Sequence, residues 1–151
     1  MSITAFKFSR AGLIQTLSAV DPESVDIIPE GFNNSIRWNA GHILSAADNM
    51  LALISGYQRL LPTTYSDFFK IGTSPRDWST EPPEWSEMLN YLKQQTEQVE
   101  NLFSRNEKPT LLNPLEIRGI SFATVEEVLA FINGHEGLHH GTIKAYLRLI
   151  K

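Results

Sequence analysis

The sequence predicts an all-α fold, an antiparallel four-helix bundle, on three observations. Four stretches place apolar residues at the three- and four-residue spacing that marks one face of a helix. Residues that start or stop helices bound each stretch, and no apolar run is long enough to span a bilayer. The chain has 151 residues, 42% of them hydrophobic, which suits a single domain over residues 1–151 with a core of its own.

The first two helices occupy the N-terminal third of the chain. Apolar residues recur at helical spacing over residues 3–20, and Asp21-Pro22 ends that helix. The second helix begins with a cap within the Asn-Asn-Ser of residues 33–35 and runs to about Ile54. Gly56 then stops it, because glycine readily adopts the left-handed conformation that closes a helix.

A long connection separates the second helix from the third. Residues 57–80 contain several proline and glycine breakers, so we expect an irregular segment there that forms a crossover or a lid over one end of the bundle. The third helix opens at Glu81-Pro82-Pro83, since proline suits a first helical turn, and its apolar stripe reaches Phe103.

The last part of the chain predicts a short β excursion followed by the fourth helix. LEIRGISF alternates apolar and polar residues around Gly119, as strands do. Thr124 and Glu127 have the spacing of a capping box, in which each side chain satisfies a backbone N–H at a helix start. The fourth helix is expected to run from there to the end of the chain.

Composition argues against several classes of function. The net charge of −4 and the scattered lysines and arginines disfavour binding to nucleic acid or to an anionic membrane surface. The absence of cysteine removes disulfides, a thiolate nucleophile and cysteine-based metal sites. The first residues, MSITAFKFSRAGLIQ, lack the apolar core of a signal peptide, so we expect a cytoplasmic protein.

Two histidines share one face of the fourth helix. On a helical wheel with Val128 at the origin, His135 and His139 fall within about 20° of that origin, in the middle of the core-facing apolar stripe and one turn apart. Glu136 and His140 fall at its edge. Two imidazoles spaced by four residues can chelate one metal ion. The alternative is a pair of interior histidines that are satisfied by hydrogen bonds.

The second helix supplies a third candidate ligand, His42, on a face of small and apolar residues beside Gly41. On its own, this histidine could equally be an ordinary interior residue. Together with the pair on the fourth helix it predicts a three-histidine site. Three protein ligands leave a coordination position open, as catalytic metal sites do.

HEGLHH, residues 135–140, also matches the H-E-x-x-H signature of zinc proteases. Only twelve residues follow His139, and none of them is an Asp or Glu that could complete a protease site. A peptidase is therefore disfavoured. Glu136 is then expected to be a carboxylate that is solvated or that supports a metal ligand, and it can pair with His140 one turn on. Alternatively, it is a weak candidate for a general base.

RWNAGHILSAADNM on the second helix and FINGHEGLHHGTIKAYLRLI on the fourth together resemble the DinB-like family of damage-inducible four-helix bundles. Several members of that family transfer bacillithiol, mycothiol or glutathione, and another branch isomerises maleylpyruvate. The resemblance implies a divalent metal, zinc or nickel, held by His42, His135 and His139, with no ligand role for His140. It also makes a homodimer the expected assembly.

Three functions stay open at this point. The first is a thiol S-transferase in which the metal activates a low-molecular-weight thiol for attack on an electrophile. The second is a metal-dependent hydrolase that uses a metal-bound water and Glu136. The third is a non-catalytic bundle that binds a metal or a partner.

Overall fold

A computed structural model describes residues 3–150, which are mostly helical, so the all-α prediction is confirmed. Within those residues, no helix has the length and hydrophobicity needed to cross a membrane. Two short 3₁₀ helices lie at Pro22–Ser24 and Pro75–Asp77. The other elements are α1 (Thr4–Ser18), α2 (Ile36–Leu51), α3 (Tyr65–Phe69), α4 (Trp85–Phe103), β1 (Leu115–Ile117), β2 (Ile120–Phe122) and α5 (Val125–Leu149).

The predicted starts of the second and fourth helices and the β excursion are confirmed, whereas the third helix, expected to open at Glu81-Pro82-Pro83, begins at Trp85. The side chain of Ser35 caps α2 by accepting a hydrogen bond from the backbone N–H of Trp38. Thr124 and Glu127 form the capping box that starts α5. β1 and β2 pair as an antiparallel hairpin whose turn places Gly119 at a φ of 77°, a conformation that favours glycine.

The long connection is a crossover between two parallel helices. Near the start of both, Arg37 Nη1 donates to the Pro83 carbonyl at 2.7 Å. Further along both, Gln95 Nε2 donates to the Leu44 carbonyl at 3.1 Å. From the first contact to the second, the residue numbers increase in both helices. The helices α2 and α4 therefore run in the same direction. Each of α1 and α2 packs against both α4 and α5, so the four long helices form one closed bundle.

The connection is more ordered than the sequence indicated. Residues 57–80 contain α3, which packs on α2, and the 3₁₀ helix Pro75–Asp77. Buried Asp48 holds the start of the connection by accepting from the Tyr57 hydroxyl at 2.7 Å and from the backbone N–H of Leu60 at 3.2 Å. Most of the connection is irregular, as expected, but these two short helices were missed because proline and glycine mark where helices break and do not show where short ones form.

A buried polar layer divides the core. Apolar residues such as Leu13 and Leu92 belong to one cluster, and Phe6 and Val99 belong to another. Between the two clusters lie three polar side chains with at most 1% exposure: Arg10, Gln95 and Glu136. A polar group at such a site needs hydrogen-bond partners within the protein.

Candidate metal centre

Three histidines converge between α2 and α5. Asn39 and His42 on α2 lie opposite His139 and His135 on α5, because these two helices are antiparallel neighbours. The ring centres of His42, His135 and His139 are separated by 5.0, 4.7 and 4.7 Å. One nitrogen from each ring lies within 4.8 Å of the other two. The group can therefore bind a metal ion.

His42 is held in one orientation by its surroundings. Its Nδ1 lies 2.7 Å from the Phe69 carbonyl oxygen, which can only accept, so Nδ1 carries the proton and donates. The lone pair is therefore on Nε2, which faces His135 Nε2 at 3.1 Å. The indole of Trp38 stacks on the His42 ring with centres 5.0 Å apart and planes 5° from parallel. Few other orientations of this ring remain available.

A chain of hydrogen bonds orients His139 in the same way. Asn39 Nδ2 donates to Asn34 Oδ1 at 3.0 Å and to the Ser35 carbonyl at 2.8 Å, so Asn39 Oδ1 must be the acceptor. His139 Nδ1, which lies 2.8 Å from that oxygen, consequently donates to it. The Nε2 of His139 carries the lone pair. Hydrogen bonds on the far nitrogen are how proteins usually orient metal-binding histidines.

The donor set fits a divalent transition metal. Three imidazole nitrogens suit several such metals, zinc, nickel, copper and iron among them, and two of the nitrogens are held with the lone pair on Nε2. The 3.1 Å between the Nε2 atoms of His42 and His135 is close to the edge of a zinc tetrahedron, about 3.3 Å for zinc–nitrogen bonds of about 2.0 Å. His135 Nδ1, in contrast, is buried and has no hydrogen-bond partner within residues 3–150.

Burial keeps the three rings neutral. It lowers the pKa of His42, although the hydrogen bond to Phe69 opposes that shift. Burial, followed by the neighbouring His42, lowers the pKa of His135 to about 4. The pKa of His139 also falls to about 4, because of burial and then of the two other histidines. Neutral imidazole is the form that binds metals, so the rings are ready to do so at neutral pH.

The structure corrects the placement of Glu136. Its side chain is not solvated and is not paired with His140. It is buried, and both carboxylate oxygens lie 2.8 Å from Nε of Arg10 on α1. His135 and His139, expected in the middle of the core-facing stripe, are only partly buried. The core-facing direction of α5 thus lies nearer to Glu136 than the helical wheel indicated.

His140 belongs to a different contact. Its Nε2 lies 2.8 Å from the Thr16 hydroxyl, which itself donates to the Gly12 carbonyl at 3.0 Å, so His140 Nε2 donates to Thr16. The ring therefore faces α1, away from the three-histidine group. The family resemblance had assigned no ligand role to this residue.

A groove of about 610 Å³ opens beside His135, between α5 and the β-hairpin. That volume is typical of sites for small molecules. Apolar side chains dominate its lining, and Leu138, on its rim, is 75% exposed. The groove is lined by Ile120, Ser121, Phe122, Glu127, Ala130, Phe131, Gly134, His135 and Leu138.

Comparison with models of known protein families identifies the family of this chain. The family model described as the DinB superfamily matches residues 5–143 of the 151. The chain belongs to the DinB superfamily. No curated protein matches it. Membership and the three converging histidines together fit a metal-dependent protein of the DinB superfamily.

Three contributors to this DinB-superfamily site were missed in the sequence. The backbone carbonyl of Phe69 gives no signal in a sequence. Asn39, three residues before His42, lies on the same face of α2 and could have been found from that spacing. Arg10 shares a helical stripe with Phe6 and Leu13, and a cation in an apolar stripe indicates a buried partner.

Proposed function

We propose that this protein is a metal-dependent thiol S-transferase, in which His42, His135 and His139 hold zinc or nickel. The observation that carries the proposal is the convergence of three neutral imidazoles, two of them fixed by hydrogen bonds on Nδ1. Three ligands leave room in the coordination sphere for a substrate. A divalent cation bound there would lower the pKa of a coordinated thiol, so that the thiol is deprotonated at neutral pH.

The position of Glu136 favours a thiol over water as the nucleophile. Water is a much weaker acid than a thiol, so a hydrolase gains more from a carboxylate or another base that accepts a proton beside the metal. Glu136 was the candidate for that role, and Arg10 holds both of its oxygens in the core. A thiol that loses its proton on binding needs no such base. With no cysteine in the chain, the thiol has to be a cosubstrate such as bacillithiol, mycothiol or glutathione.

The groove beside His135 offers a place for the electrophile. Its apolar lining suits a hydrophobic or aromatic compound, and His135 is common to the groove and to the histidine group. Phe131, which lines the groove, also stacks on His135 with planes 15° from parallel. A substrate in the groove would thus be separated from the proposed metal by the imidazole ring of His135.

Metal content tests the first half of the proposal. We expect about one zinc or nickel per chain by mass spectrometry on untagged protein. His42→Ala and His139→Ala should each lose the metal. His140→Ala is the matched control and should keep it, because His140 contacts Thr16 on α1. Wild-type protein that stays metal-free after incubation with zinc and with nickel would overturn the proposal.

Turnover tests the second half. The metal-loaded protein should accelerate the reaction of bacillithiol, mycothiol or glutathione with 1-chloro-2,4-dinitrobenzene. In that reaction the sulfur–carbon bond forms, chloride leaves with the bonding electrons, and the thiol proton goes to the buffer. His139→Ala should abolish the acceleration and His140→Ala should retain it. A metal-loaded protein inactive with all three thiols, yet active on ester substrates, would favour the hydrolase.

A further inference from the structure

Gly41, next to His42, lies against the aromatic ring of Phe69. A methyl group at Gly41 would lie 2.5 Å from both Cγ and Cε1 of Phe69, much closer than carbon atoms can approach. Phe69 is fully buried at the end of α3. Glycine is unfavourable in the middle of a helix. Its presence here is explained by the close contact between α3 and the backbone of α2.

The same contact places the carbonyl that orients His42. Phe69 donates nothing from its side chain, but its carbonyl oxygen accepts the Nδ1–H of His42 at 2.7 Å. Because ring and carbonyl belong to one residue at the end of α3, a displacement of α3 away from α2 would move both. The contact of the Phe69 ring with Gly41 and the position of its carbonyl at His42 Nδ1 therefore depend on the same placement of α3 against α2.

The rest of the connection holds Phe69 in place from the other side. Trp78 packs edge-on against the Phe69 ring, with centres 5.8 Å apart and planes at 89°. Its indole N–H donates to the Phe68 carbonyl at 3.2 Å. Trp38, which stacks on His42, donates to the Thr73 hydroxyl at 2.9 Å. The Phe69 ring is thus enclosed between Trp78 and the backbone at Gly41.

We infer that Gly41 and Phe69 are positioning residues for the metal centre: the missing side chain at Gly41 lets Phe69 bring its carbonyl to His42 Nδ1. The inference rests on the proposed function in one respect only, namely that His42 is a ligand. It also assigns a role to the crossover connection. Through the Phe69 carbonyl, the connection fixes which nitrogen of His42 carries the proton and how the His42 ring is oriented.

Gly41→Ala tests the inference through zinc affinity. We expect the zinc dissociation constant, measured by competition with a chelator, to rise by about 10- to 100-fold, as it does when a partner of a ligand is lost. Gly141→Ala on α5 is the matched control, because a methyl group there would meet no atom within 4 Å. Gly41→Ala that folds and binds zinc as tightly as Gly141→Ala would overturn the inference.

The proton position on His42 gives a readout that needs no metal. In ¹⁵N-labelled, metal-free wild type we expect NMR to show Nδ1 of His42 protonated, and in Gly41→Ala this preference should be lost. If wild type bound no zinc, the proposed function would fail while this measurement still tested the role of Gly41. An unchanged proton position in Gly41→Ala would overturn the inference.

Phe69→Ala covers the case in which Gly41→Ala does not fold. The loss of the ring should free the carbonyl and weaken zinc binding more than Leu51→Ala does. Leu51 is an equally buried residue of α2 in the other apolar cluster, so it controls for general loss of packing. Equal zinc affinities in Phe69→Ala and Leu51→Ala would contradict the inference.

Discussion

Glu136→Gln removes one charge from an ion pair that is almost completely shielded from water. The side chains of Arg10 and Glu136 have exposed fractions of 0% and 2%. Arg10 would retain hydrogen bonds to Gln95 Oε1 at 3.1 Å and to the Leu92 carbonyl at 3.4 Å, but no counter-charge from residue 136. Removing one partner of a buried pair usually costs about 3–5 kcal/mol. We expect Glu136→Gln to lower the free energy of unfolding by an amount in that range.

Such a loss is large enough to measure without ambiguity. Domains of this kind have free energies of unfolding of about 5–15 kcal/mol. For a chain of this length, 3–5 kcal/mol corresponds to a fall in Tm of roughly 6–20 °C. Urea denaturation of the metal-free protein gives the free energy directly. Arg10→Met with Glu136→Leu should recover much of the loss, since removing both charges leaves neither one unpaired.

The opposite result would restore a catalytic role to Glu136. If Glu136→Gln kept a free energy of unfolding within about 1 kcal/mol of wild type and yet lost turnover, the carboxylate would have to act on the substrate. The structural role predicts a different pattern. Turnover per folded, metal-loaded molecule should persist in Glu136→Gln at low temperature.

Three further predictions concern the site itself. Asn39→Leu should weaken zinc binding by about 10- to 100-fold in a competition with a chelator. The reason is that His139 loses the only orienting hydrogen bond that it makes within residues 3–150. An unchanged zinc affinity would refute that role of Asn39. Urea denaturation of metal-free protein should show stability falling as pH drops from about 6.5 towards 4. The unfolded chain binds protons there that His135 and His139, with pKa values of about 4, do not. A variant with glutamine at both positions should lose that part of the pH dependence, and a curve unchanged from wild type would contradict it. Leu138→Asp should raise KM for a hydrophobic electrophile in steady-state kinetics and leave the metal content unchanged; an unaltered KM would exclude the groove.

The helices were predictable because their signals are local. Apolar spacing, the serine cap at Ser35 and the capping box of Thr124 and Glu127 act within one or two turns. The hairpin followed from alternation around Gly119 for the same reason. The crossover was foreseen from length alone. α3 was not, since five residues give too short a pattern and its position depends on packing against α2.

The three histidines were predictable as a group, whereas the rotation of α5 about its own axis was not. A helical wheel gives the angle between side chains but takes its origin from an assumed core residue. With Val128 as the origin, Glu136 fell at the edge of the stripe. In the structure it faces the core, because Arg10 on another helix supplies the partner that a buried carboxylate needs. That partner is 126 positions away in the chain, beyond any local pattern.

The Arg10–Glu136 pair also explains why the histidines face α2. Successive residues of a helix are rotated by about 100°, so fixing Glu136 towards α1 turns His135 away from α1. Rotation of α5 about its axis is therefore restrained from α1, and His42 is restrained from α3. The three imidazoles converge because each of the two helices that carry them is held from a neighbouring element.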